Sequence, residues 1–133
     1  MATPFDVFLV TPEREVWSGQ ATIVIARGSE GEVGIQNGHV PMLIQLGIGP
    51  LFIQPLDADR LAAAVDGGFL HVITSEGETR VDVLAEHAEL ASEIDVERAR
   101  RQKDDAERRI AADHDAEALA DLAKAIVRLD LRG

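Results

Sequence analysis

The residues with the clearest potential for chemistry lie between Gly31 and Pro41, in the stretch GEVGIQNGHVP. Three glycines, a glutamate and His39 share these eleven positions, a composition that phosphate-binding loops also have. A P-loop, however, requires a lysine after its last glycine, and the first hundred residues contain none. Asn37 followed by Gly38 is a strong turn signal, because both residues tolerate positive φ. The stretch therefore predicts a tight turn in preference to a phosphate-binding loop.

Histidines form the second group, and the chain has four of them: His39, His71, His87 and His114. No two stand three or four positions apart, so no local metal site is predicted, since zinc and iron need several convergent ligands. His39 would act as a general base only beside a nucleophile or a substrate. We expect it to be packed or hydrogen-bonded, and we expect His114 to be solvated in a polar turn between helices. The alternative, a small hydrolase that uses His39 with nearby acids, stays open.

A third group of charged residues surrounds the segment IDVERA, from Ile94 to Ala99. Asp95 and Arg98 stand three positions apart, and Lys124 and Arg128 stand four apart, so each pair shares one helix face. Antiparallel helices could bring the three cations together as an anion pocket, since arginine binds phosphate well. The alternative is a helix-capping aspartate with surface cations, which the spacing alone favours.

Charge and composition exclude several classes of function. The 133 residues suit one ordinary domain, contain no cysteine and carry a formal net charge of −11. Residues 1–91 hold thirteen acidic residues against four arginines, which argues against nucleic acid and anionic lipid as partners. The N-terminus lacks a basic segment and a long apolar run, so we expect neither a signal peptide nor a membrane span. The expected location is the cytoplasm or the cytoplasmic face of a membrane.

The first ninety residues have the pattern of strands. Short apolar runs alternate with turn signals, which predicts an antiparallel β-sandwich or barrel over residues 1–91. The predicted strands are 5–10, 21–27, 50–56, 60–73 and 79–86. The turn signals are Ser18-Gly19, Gly28–Gly31, Asn37-Gly38, Gly67-Gly68 and Glu76–Glu78.

The period changes at Ser92, and residues 92–133 are predicted to form a hairpin of two antiparallel helices. The first helix would span 92–112, with Ser92 as its N-cap and Asp95 completing a capping box, and the second would span 116–131. The apolar stripe of the second helix is Leu119, Leu122, Ile126 and Leu129. The facing stripe is Val96, Ala99, Ala106 and Ile110. Because alanine burial contributes little, the hairpin should be only marginally stable alone and able to detach from the sandwich.

Longer motifs follow one another along the chain. They are GSEGEVGIQNGHVPML (28–43), VDGGFL (65–70), VLAEHAE (83–89), IDVERA (94–99) and LAKAI (122–126). In this order, and over nearly the whole chain, they resemble the epsilon subunit of bacterial F-type ATP synthases. The resemblance implies a β-sandwich of about ten strands followed by a two-helix hairpin. It implies a non-catalytic central-stalk subunit that couples rotation of the proton-translocating ring to ATP synthesis.

The resemblance also implies partners. They are the gamma subunit, the ring of c subunits and, when the hairpin extends and inhibits ATP hydrolysis, the alpha/beta catalytic head. No nucleic acid, membrane insertion or required cofactor is implied, and the chain would lie peripherally on the cytoplasmic side of the cell membrane. Glu30 and Glu32 would face the ring, and His39 would lie close to gamma. The alternative is a stand-alone ATP-sensing or small hydrolytic sandwich protein.

Some bacterial members of that family bind ATP as a regulator, which holds the hairpin down. The corresponding positions here are Glu89, Ile94, Asp95, Arg98, Lys124 and Arg128. Those members carry another arginine seven positions after Arg98, where this chain has Asp105. An acid that faces phosphate weakens binding, so Asp105 argues against ATP. Gln36-Asn37 also departs from the usual Leu or Tyr followed by Pro, but Asn-Gly turns as well as Pro-Gly does.

Overall fold

The protein is a β-sandwich with a helical hairpin folded against it, as the sequence predicts. The computed structural model describes residues 2–113 and 115–132, and the prediction for His114 lies outside them. The strands are β1 (Phe5–Val10), β2 (Glu15–Gly28), β3 (Gly31–Ile35), β4 (Met42–Pro55), β5 (Leu61–Ser75), β6 (Glu78–Ala85) and β7 (Ala88–Leu90). A 3-10 turn at Ala91–Glu93 leads to α1 (Val96–Asp113) and α2 (Ala116–Arg132).

The strands form one sheet that closes on itself. Its order is β1-β6-β5-β4-β2-β3, with β7 on β5 and β1 also paired with β2. The ring that closes contains five strands, and an odd number of strands cannot alternate in direction all the way round. One neighbouring pair must therefore be parallel, and that pair is β1 with β6. The antiparallel prediction holds for the other pairs of the described strands.

The strand count is seven, where the resemblance implies about ten. Three strands, β2, β4 and β5, are 14 or 15 residues long, so each takes the place of two short strands. The register of β2 with β4 is irregular at two points, and β5 bends at Gly67 and Gly68, which have positive φ. The predicted turn at Ser18-Gly19 is wrong, because β2 runs straight through it and the chain turns at Thr11–Arg14 instead. Likewise Gly67 and Gly68 lie inside β5.

The core lies between the layers of the sandwich. Alternate residues of β1, Phe5, Val7 and Leu9, are buried there with valines and leucines from β5 and β6. The predicted turn at Glu76–Glu78 is confirmed. Glu76 and Gly77 have φ of 53° and 80°, which joins β5 to β6 through a two-residue hairpin loop.

The helices begin at aspartates. The carboxylate of Asp95 accepts the backbone N–H of Arg98 at 3.1 Å, and that of Asp115 accepts the N–H of Glu117 at 2.9 Å. The predicted N-cap at Ser92 is therefore wrong. Asp95 caps α1, and Ser92 belongs to the 3-10 turn.

Alanines form the contact between the two helices. Ala99 and Ala106 of α1, and Ala118 and Ala125 of α2, are almost fully buried. The predicted leucine stripe is partly wrong, since Leu119 and Ile126 remain 54% and 39% exposed. Small side chains let helix axes approach closely, so alanine makes the seam and these larger residues fall outside it. Within the described ranges, neither helix is long and apolar enough to cross a membrane.

Candidate functional site

A cleft of about 690 Å³ opens between the sandwich and the hairpin. Five of the six residues predicted as an ATP site line it: Glu89, Asp95, Arg98, Lys124 and Arg128. The sixth, Ile94, is only 5% exposed and does not line the cleft. Asp105 also lines the cleft, so the departure noted in the sequence does face the same space.

Arg128 is occupied by carboxylates of the sandwich. Its Nη1 and Nη2 donate to the two carboxylate oxygens of Asp66 at 2.9 and 2.8 Å, and its Nε donates to Glu89 at 2.6 Å. Burial disfavours the charged guanidinium, but the hydrogen bonds and charges of Asp66 and Glu89 outweigh it, so the pKa of Arg128 is raised. A ligand in the cleft would therefore meet an arginine that already has two anionic partners.

Asp66 is the functional residue that sequence reasoning missed. It is 7% exposed in the middle of β5, and it is one of two buried polar residues among those described. The available signal was an aspartate placed directly after five apolar residues in LAAAVDGG. Buried carboxylates are rarely unpaired, so an acid at this position indicates a cationic partner from another element.

The remaining cations of the cleft divide into two sets. Arg14 is paired with Glu93, and Arg109 with Asp121. Across the described side chains, Arg98 and Lys124 have no carboxylate within ion-pair distance. The cleft thus offers two unpaired cations to an anionic ligand. In residues 2–113 and 115–132, no cluster of side chains suits a metal ion.

The stretch from Gly31 to Pro41 is strand β3 followed by a braced turn. Gly38 has φ of 87°, while the φ of Asn37 is not positive. Only Gly38 therefore adopts the positive φ that both residues of the pair tolerate. Asn37 donates to the carbonyl of Gly77 at 3.2 Å and accepts the N–H of Thr79 at 3.3 Å. The hydroxyl of Thr79, a residue only 5% exposed, accepts the N–H of Gly38 at 2.7 Å. These bonds tie the turn to the β5–β6 hairpin.

His39 is held by the same network. Its carbonyl accepts the hydroxyl of Thr74 at 2.7 Å, and its Nδ1 lies 2.8 Å from the carbonyl of Val40. In the described part of the chain, no carboxylate bonds its imidazole, so the arrangement lacks the acid partner that the hydrolase alternative needs. Glu30 is exposed within the β2–β3 turn, and Glu32 is exposed at the start of β3. Nothing else in the structure distinguishes them as an interface, and their role stays a prediction.

An exposed apolar surface, which sequence reasoning missed, lies on the outer face of β4, β5 and β6. It consists of Leu43, Phe69, Ile73 and Leu84, which we call the outer patch; their exposed fractions run from 38% to 65%. Phe69 stands opposite Leu84, and Leu43 opposite His71, so strand register places all four on one face. An apolar surface of this kind indicates a protein contact.

Comparison with known proteins identifies the family. Residues 4–91 match the family model described as ATP synthase, Delta/Epsilon chain, beta-sandwich domain. The chain is 50% identical over 125 residues to an ATP synthase epsilon chain of Thermobifida fusca, which covers 92% of this chain and 88% of the relative. This relationship includes most of the hairpin as well as the sandwich.

Two solved structures share the fold at low identity. A chain in the mitochondrial ATP synthase of Euglena gracilis (OSCP/F1/c-ring) superposes with a TM-score of 0.70 at 22% identity, over 96% of this chain and 76% of that chain. One from the central stalk and c-ring of the Tetrahymena thermophila mitochondrial ATP synthase gives 0.59 at 16% identity, over 99% and 98%. The sandwich, the hairpin and the sequence relationship together show that this chain belongs to the family of ATP synthase epsilon chains.

Proposed function

We propose that this chain is a non-catalytic subunit of the central stalk of a rotary ATP synthase, which couples rotation of the c-subunit ring to ATP synthesis in the catalytic head. The observation that carries the proposal is the relationship to epsilon chains over 92% of the chain. Further support comes from the Tetrahymena structure, whose matching chain belongs to a central stalk and c-ring. In such a complex the chain lies peripherally on the cytoplasmic side of the cell membrane.

The sandwich supplies the docking surfaces in this proposal. The outer patch offers apolar side chains to gamma, and the bonded turn at Asn37–His39 keeps the adjoining edge rigid. A rotor subunit needs rigid docking surfaces, because torque is transmitted through contacts that do not deform. Glu30, exposed in the β2–β3 turn, and Glu32, exposed at the start of β3, face the ring of c subunits, and His39 lies close to gamma.

The hairpin supplies inhibition of ATP hydrolysis. Its helices meet through alanines, so the hairpin gains little from its own packing and relies on the sandwich for its docked position. An element held this weakly can exchange between docking on the sandwich and extending toward the alpha/beta head.

Reconstitution tests the coupling role. A catalytic head that lacks this chain should lose proton-driven ATP synthesis when rejoined to its membrane sector, and adding the chain should restore it. Removing residues 92–133 should preserve synthesis and raise ATP hydrolysis. Full synthesis without the chain would contradict coupling, and unchanged hydrolysis after truncation would contradict inhibition.

Charge substitution in the outer patch tests its contact with gamma. Leu43→Asp should weaken binding to gamma by about tenfold or more, because binding would then desolvate a carboxylate against an apolar partner. Leu56→Asp is the matched control, since Leu56 is 45% exposed and lies outside the patch. Equal affinities of the two variants for gamma, measured by surface plasmon resonance, would show that gamma does not bind the outer patch.

A second candidate function is ATP sensing in the cleft. It is favoured by Arg98 and Lys124, two cations without ion-pair partners among the described residues, on helices that face each other. Calorimetry with MgATP should show binding that Arg98→Ala abolishes and Arg101→Ala, an exposed control on α1, preserves. No heat of binding at millimolar MgATP would exclude this function.

A further inference from the structure

The contact between Arg128 and the sandwich is built as a complete binding site for the guanidinium. The guanidinium donates four hydrogen bonds: two to Asp66, one to Glu89 and one to the carbonyl of Lys124 at 3.0 Å. A guanidinium has five N–H donors, so this set leaves only one of them unused. The side chains of Arg128 and Asp66 are 12% and 6% exposed, so the pair is largely shielded from solvent.

The contact joins the hairpin to the sandwich, because its cation and its two carboxylates come from different parts of the chain. Arg128 belongs to α2, Asp66 to β5 and Glu89 to β7. The sandwich places Asp66 by itself, because the N–H of Asp66 donates to the carbonyl of His87 and the carbonyl of Gly67 accepts the N–H of Glu86. The acidic half of the contact therefore exists before the hairpin arrives.

We infer that the docked hairpin of this chain is latched by Arg128 on Asp66 and Glu89 and needs no bound anion. The two carboxylates take the place that a phosphate group would occupy on the guanidinium. A phosphate ligand that enters the cleft reaches Arg98 and Lys124, but it must compete with Asp66 for Arg128. The inference concerns the isolated chain and does not depend on the proposed function in a rotary complex.

A distance measurement in the isolated full-length chain tests this latch. The chain has no cysteine, so Asp57→Cys on the sandwich and Glu117→Cys on α2, both exposed, provide two unique sites for spin labels. Without nucleotide, the labels should report one docked distance, and MgATP should leave the docked fraction unchanged. A chain that docks only after MgATP is added would overturn the inference.

Variants of the latch give the second half of the test. Arg128→Gln leaves Asp66 buried without a cation, and Asp66→Asn leaves Arg128 with Glu89 as its one carboxylate partner. Each should lower the docking equilibrium constant by about a hundredfold. Asp130→Asn and Arg101→Gln are charge-matched controls at exposed positions of α2 and α1, and they should stay docked. If either latch variant docks as well as its control, the inference is wrong. Should Asp66→Asn disturb β5, visible as faster amide exchange there, Arg128→Gln decides alone.

Discussion

Arg14 donates two parallel hydrogen bonds to the carboxylate of Glu93, from Nη1 to Oε2 at 3.0 Å and from Nη2 to Oε1 at 2.8 Å. The pair joins the β1–β2 turn to the 3-10 turn where the sandwich ends. Glu93 also accepts the backbone N–H of Leu90 at 2.9 Å. Glu93, which precedes α1, is thus bonded to the β1–β2 turn through Arg14 and to the end of β7 through Leu90.

This pair predicts a specific pH dependence. The hydrogen bonds from Arg14, and then from Leu90, lower the pKa of Glu93 below its ordinary value of 4.5. A carboxyl with a lowered folded-state pKa stabilises the fold above its unfolded pKa, and this contribution is lost as pH falls through the folded value. Arg14→Gln should therefore raise the pKa of Glu93 in an NMR titration. Arg100→Gln, on an exposed pair of α1, should leave it unchanged.

The backbone of β5 at Gly68 predicts that adding a single methyl group there lowers the stability of the fold. Gly68 has φ of 122°, and a Cβ there would lie 2.2 Å from the carbonyl oxygen of Leu84. Gly68→Ala should lower the free energy of unfolding by about 3 kcal/mol or more, since both the backbone angle and the contact are strained. Gly47 is the control, because a Cβ there meets nothing within 4 Å. Urea unfolding of the two variants should differ clearly; similar midpoints would contradict the described bend.

The polar network behind the turn at Asn37-Gly38 predicts a local weakness. Thr79→Val keeps the shape of the side chain but removes the hydroxyl that accepts the N–H of Gly38 and contacts Thr74. The orphaned groups should cost about 1–3 kcal/mol of stability. Amide exchange at residues 37–40 should rise most. Thr22→Val is the control, because the hydroxyl of Thr22 makes no hydrogen bond to the described residues. It should change stability and amide exchange much less than Thr79→Val does.

The alanine seam predicts an effect confined to the hairpin. Ala106 is fully buried against α2, and Ala106→Leu would force the helices apart at a cost of about 1–3 kcal/mol. Amide exchange should accelerate in α1 and α2 while the strands stay protected. Ala111→Leu, at an exposed position of the same helix, should leave exchange near the native rate. Accelerated exchange throughout the sandwich would show that the two parts unfold as one unit.

Local patterns in the sequence predict most of the fold and part of the cleft. Alternating apolar residues indicate β1 and β6 closely, and Glu76-Gly77 indicates its turn, because each depends on neighbours along the chain. The N-cap fails at Ser92 for a tertiary reason, since Arg14, 79 positions away from Glu93, holds residues 91–93 in a separate turn. The same limit explains why the predicted apolar stripe includes Leu119, since periodicity does not show which face of a helix meets a partner.

By itself, the sequence determined the two-part architecture, the absence of thiol chemistry, the turn at Asn37-Gly38 and the charged residues that come to line the cleft. These follow from composition and from short-range preferences of the backbone. Only the tertiary structure decided that β1 lies parallel to β6, because closure of a ring of strands is a property of the whole sheet. It also decided that Arg128 is occupied by Asp66, 62 positions away in sequence. Burial brings those two charges together, and no local pattern of residues records the partner that a buried charge will find.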